Sequence, residues 1–148
     1  MKTKKYKQTI IPEVSIGEWE TLPVYHSRKK MFDHYRNHYV GRCVKNQHLG
    51  ISVEFDIVGA RKTSQGGSIY PKKKCLIEIL DKMIEYAEYS NWGDRKENDP
   101  PHLIGYLNFN VKVKIDDSLE HTHLVIRVTN DGKFHYYMEV NKKAVKFT

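Results

Sequence analysis

The sequence predicts an α+β fold, and three observations carry that reading. Residues 70–93 place Leu76, Ile79, Leu80, Met83, Ile84 and Ala87 at helical spacing, a wide apolar stripe. In "LIGYLNFNVKVKID" (103–116), Leu107, Phe109, Val111, Val113 and Ile115 alternate with Tyr106, Asn108, Asn110, Lys112 and Lys114, the period of a strand with one buried face. In residues 121–140 the alternation runs through Leu124, Ile126 and Val128, then through Phe134, Tyr136, Met138 and Val140, around an Asp-Gly pair typical of hairpins. The predicted order is an N-terminal helix and strand, one long amphipathic helix, and an antiparallel three- to four-stranded meander.

Residues 1–22 read as a basic N-terminal arm, in which "TIIPEVSI" forms a short strand before or after Pro12. Residues 23–148 read as a single domain, a length that suits one core. In "SRKKMFDHYRNHYVG", Met31, Phe32, Tyr35 and Tyr39 share a helical face, with Ser27 as N-cap and Gly41 as C-terminal stop. "GISVEFDIVG" is a half-buried strand of Ile51, Val53, Phe55 and Ile57, which Gly59 ends. "SQGGS" is a flexible turn, and Pro71 suits the first turn of the long helix. "GDRKENDPPH" is a polar loop, and "DDSLE" turns the chain into the last hairpin.

Composition narrows the function. Lys and Arg total 25 against 18 Asp and Glu, a net charge of +7 that favours RNA or another polyanion as partner. No apolar run reaches the roughly 20 residues of a membrane span, and no apolar signal core follows the basic start. A cytoplasmic location without membrane contact is expected. Cys43 and Cys75 lack a CxxC frame and read as packed thiols. No metal or cofactor is expected. His121 and His123 form an HxH pair without a third ligand at a telling spacing, and His34 and His38 lack a HExxH frame.

Period-two arithmetic sets His123, Arg127, His135 and Tyr137 on the face that does not pack, with Asn108, Asn110, Lys112 and Lys114. Histidines suit proton transfer in metal-free RNA cleavage, arginine and lysine suit the phosphorane charge, and Tyr137 suits base stacking. Arg61, Lys62, Thr63 and Ser64 form a loop of cations and hydroxyls able to hold a phosphate, although no P-loop frame exists. Lys72, Lys73 and Lys74 open the long helix, either as a solvated start or as phosphate contacts. The nucleic-acid-binding set is therefore Arg61, Ser64, Lys72, Lys73, Lys112 and Lys114.

The order of motifs adds a resemblance. In "VGRCVKNQHLGISVEFDIVGARKTSQGG" a segment with Asn and Gly leads into a strand ending in "G.rK". The helix "KKCLIEILDKMIEYAE", an "L-V-I-R-V" strand and the closing "FHYYMEV" follow. Roughly residues 40–140 resemble phage- and mobile-element-associated domains grouped with the barnase, EndoU, colicin D and RelE nucleases, and large polyvalent protein-associated domains. The resemblance implies helices before an antiparallel sheet, with Lys62 and Tyr137 as active-site residues. The expected function is a metal-independent ribonuclease-like toxin or effector, its protein partner an antitoxin or host target. The alternative is a non-catalytic basic binding module or inhibitor acting on a host protein or nucleic-acid complex.

Overall fold

The computed structural model describes residues 6–59 and 71–136. Strand β1 (Glu13–Val14) and a 3-10 turn (Gly17–Glu20) precede helix α1 (Val24–His38), which leads to β2 (Cys43–Lys45) and β3 (Ser52–Glu54). Helix α2 (Pro71–Cys75), a 3-10 turn (Leu76–Ile79) and α3 (Leu80–Tyr86) follow. Then come β4 (Glu88–Asp94), β5 (Leu103–Ile115), β6 (Ser118–Thr129) and β7 (Phe134–Tyr136).

The fold is α+β, but the sheet is mixed. Among the described residues, seven strands form one sheet in the order β1-β5-β6-β7-β3-β2, with β4 also paired to β5. The expected meander of β5, β6 and β7 is antiparallel, yet β1 joins β5 and β3 joins β7 in parallel. Parallel pairs join segments distant in sequence, which local alternation cannot reveal.

The single long helix is also corrected. Ile79 leaves helical geometry (φ −126°, ψ 18°), so the segment is two helices joined by a 3-10 turn. Cys75, Leu76 and Ile77 are all buried. Three consecutive buried side chains cannot share one helical stripe, and the break turns both sides of the segment into the core. The helix stops at Tyr86 because Asn46 takes its last carbonyls. Asn46 Nδ2 donates to Ile84 O at 2.8 Å and to Ala87 O at 3.0 Å, and its Oδ1 accepts from Leu49 N–H at 2.9 Å. Ala87 then turns extended (φ −64°, ψ 144°), and the residues read as the helix tail become β4.

The helices cover one face of the sheet. Phe109, Val111, Val113 and Ile115 from β5, and Leu124, Ile126 and Val128 from β6, meet Leu80, Met83 and Ile84 from α3. α1 adds Met31 and Tyr35, and Tyr39 follows. Tyr39 stacks on Phe55 at 5.0 Å and donates to Ile77 O at 2.5 Å; Tyr35 donates to Tyr136 O at 3.2 Å. Burial pushes the Tyr39 and Tyr136 hydroxyls well above the ordinary phenol range. α1 starts earlier than expected, with Pro23 at the N-cap, while Ser27 is buried and donates to Val24 O at 3.0 Å. Cys75 is a packed thiol, pushed up to about 12 by burial, whereas Cys43 is exposed, against expectation.

The stretch set apart as an arm lies on the domain from Tyr6 onward. Trp19 is 1% exposed and donates to Glu78 Oε2 at 2.5 Å. β5 already has β6 on one edge, so β4 and β1 share the other. Between them the Gln8 carboxamide donates to Lys112 O and accepts from Lys112 N–H, both at 2.9 Å. A side chain thus completes the ladder where no strand reaches.

Candidate functional site

Cross-strand neighbours share a sheet face, so the register assembles the face opposite the helical core directly. Glu54 of β3 pairs with His135 of β7, His135 with Arg127 of β6, Arg127 with Tyr106 of β5, and Tyr106 with Gly93 of β4. This row crosses five strands. At a strand spacing of about 4.8 Å, Glu54 and Arg127 stand two steps, or about 10 Å, apart along the backbone, with the imidazole between them.

His135 and Tyr106 have defined polar neighbours. Asp56 Oδ1 accepts from Gly59 N–H at 2.9 Å, which fixes the carboxylate, and its Oδ2 lies 3.4 Å from His135 Nδ1. The other ring nitrogen, Nε2, is 3.4 Å from Thr129 Oγ1. The imidazole thus lies between a carboxylate and a hydroxyl. Oε2 of Glu54 is buried without a hydrogen-bond partner among the described residues. Tyr106 donates to Asp99 Oδ2 at 2.5 Å, and Lys96 N–H donates to the same oxygen at 2.7 Å. These two bonds, with the Arg127 charge beside them, hold the Asp99 carboxyl below the usual carboxylate range. The row can therefore offer a carboxylate, an imidazole and a guanidinium side by side.

His123 is on the same face but not in the row. It pairs with Asn110, four residues from Arg127 along β6, which is about 13 Å at strand rise. Its Nε2 lies 3.1 Å from Asn108 Oδ1, and Asn108 Nδ2 donates to Asn91 O at 3.3 Å. Assigned from that network, His123 Nε2 carries the proton and donates. Lys112 and Lys114 lie farther along, Lys112 opposite His121 and Lys114 opposite Leu119, with Lys114 Nζ 3.7 Å from Glu13. The structure thus joins His135 and Arg127 and separates His123, Lys112 and Lys114 from them.

The lysines at the start of α2 are not a solvated run. Lys72 donates to the buried Glu120 at 2.7 Å, and Lys73 and Lys74 are 5% and 4% exposed. Desolvation lowers the pKa of Lys73. Arg61, Lys62, Thr63, Ser64 and Tyr137 lie outside the described residues. Among the described residues no group of three or more metal-ligating side chains occurs, and no helix is long and apolar enough to cross a membrane.

Glu54 is the residue that sequence reasoning missed. Its place on the polar side of a strand was legible in "ISVEFDI", but its neighbour His135 follows from a parallel pairing across 80 residues.

Residues 25–136, more than half of the chain, match the family model of large polyvalent protein-associated domain 3. The chain belongs to that family. It is accordingly a phage- or mobile-element-associated domain. No curated protein and no solved structure matches it. Within this family member, the Asn and Gly that carried the resemblance do structural work. Asn46 ends α3, and Gly50 turns the chain into β3 at φ +73°, a conformation that favours glycine.

Proposed function

We propose that this polyvalent-protein-associated domain is a metal-independent ribonuclease-like effector of a phage or mobile element, acting through the row Glu54, His135 and Arg127. One observation carries the reading: a carboxylate, an imidazole 3.4 Å from the Asp56 carboxylate and a guanidinium occupy adjacent strands on the sheet face opposite the helical core. In the proposed reaction Glu54 takes the 2′-hydroxyl proton and the 2′-oxygen attacks the adjacent phosphorus. Protonated His135 gives its proton to the leaving 5′-oxygen, and Arg127 stabilises the phosphorane charge. The products are a 2′,3′-cyclic phosphate and a 5′-hydroxyl, so protons and bonds balance without an ion.

The test is cleavage of RNA by the purified chain in excess chelator, with analysis of the new ends. His135→Ala, Arg127→Ala and Glu54→Gln are each expected to lower the rate 100-fold or more with an unchanged circular dichroism spectrum. Cleavage at the parental rate in all three would overturn the site. Salt-sensitive RNA binding without turnover in the parent chain would instead favour the non-catalytic binding module, for which the same cations supply contact alone.

A further inference from the structure

We infer a second nucleic-acid contact surface, on the outer side of α1, which fits single-stranded RNA or DNA and does not depend on the cleavage reading. α1 lays Met31 and Tyr35 into the core, so its other side faces away from the sheet. On that side Tyr25, Lys29 and Arg36 are exposed, with Arg28 beside Lys29, while Phe32 at the flank is half-buried against the core. An exposed aromatic therefore stands one turn from a run of exposed cations.

The charges are poorly matched within the domain. Asp33 is the one acid of α1, against Arg28, Lys29, Lys30 and Arg36. Lys30 pairs with Glu18, and Arg36 Nη2 lies 3.7 Å from Asp33. Arg28 and Lys29 are exposed and have no ion pair among the described residues. Both lie in the second turn of α1, and no acidic residue occupies the first. A row of phosphates would relieve that mismatch.

The aromatics specify the kind of polyanion. Tyr25 is 75% exposed, and the Arg36 guanidinium lies 5.6 Å from the Phe32 ring centroid. Cations that track a backbone, interleaved with rings that take unpaired bases, are the requirements of single-strand binding. A membrane surface fits less well. The apolar side that α1 would insert is already buried in the core, which leaves no amphipathic face to immerse.

The test is fluorescence anisotropy with labelled 20-nucleotide single strands of RNA and of DNA across a salt series. It uses the full chain carrying His135→Ala, so that the proposed cleavage is suppressed and the probe stays intact. Arg28→Ala/Lys29→Ala/Arg36→Ala, all at exposed positions, should reduce the log–log salt slope by about two, since each phosphate that a cation neutralises on a single strand adds about 0.7 to it. Tyr25→Ala should weaken binding about fivefold or more with the slope unchanged. Weaker binding of both probes supports recognition of backbone and base, and weaker binding of RNA alone narrows it to RNA. An unchanged slope in the triple variant, or unchanged affinity in Tyr25→Ala, overturns the proposal. So does binding to vesicles rich in anionic lipid without binding to either strand. Because cleavage is read on other residues, either proposal can fail alone.

Discussion

The two faces of the β5–β6 ribbon obey different rules. On one face Phe109, Val111, Leu124 and Ile126 are buried against the helices, and any close-packed apolar set of similar volume would serve. On the other face Tyr106 donates to Asp99, His123 meets Asn108, and Arg127 pairs with Tyr106 across the ladder. The first face fixes the register, because a one-residue slip would send its apolar set to the open side. The second inherits that register, which sets Glu54, His135 and Arg127 on adjacent strands.

That contrast can be broken from either side. The largest effect is expected from Phe109→Ala, which should cost about 3–5 kcal/mol in urea unfolding, because it empties a site between Tyr89 and the core. A loss below 1 kcal/mol would mean that this face does not set the register. Next comes Gly105→Ala. A Cβ there would lie 2.0 Å from Trp92 Cζ2, inside the indole ring. The substitution should cost about 1–3 kcal/mol, and Trp92→Ala in the same chain should restore most of it. Additive losses would show that the two residues do not meet.

The smallest effect belongs to the open face. Tyr106→Phe removes the phenol bond that does most to hold Asp99 below the usual carboxylate range. For a depressed acid, the added stability is complete above the ordinary carboxylate pKa and fades as pH falls through the folded value. Tyr106→Phe should therefore lose about 1 kcal/mol or less at pH 7, given the exposure of Asp99, and the gap from the parent should close in acid. A gap of equal size at pH 7 and pH 3 would assign it to packing.

The parts of the fold legible in the sequence are those in which a residue's neighbours in space are its neighbours in the chain. β5 and β6 show the pattern in every second residue, and the turn between them follows from their alternation. The α1 face was equally legible through Met31, Tyr35 and Tyr39. The parallel partners of β5 and β7 were not, because Val14 and Ile115 are a hundred residues apart. β4 was hidden for a different reason. The helical stripe runs through Ala87 without a glycine or proline, and what stops the helix is the Asn46 side chain, arriving from about 40 residues upstream. The site divides in the same way. Arg127 and His135 share a hairpin and were read together, while Glu54 arrives through β3, and the separation of His123 appears only when residues are counted along β6.

Gln8 has a consequence for how these domains behave in a crowd. The outer margin of β5 is occupied in sequence by β4 as far as Asn110, by the glutamine amide at Lys112, and by Pro12 O, which accepts from Lys114 N–H at 2.8 Å. Had a shorter side chain stood at position 8, the Lys112 peptide groups would be left bare, a template on which a strand of another molecule could zip up. A single amide thereby acts as a stopper against self-association.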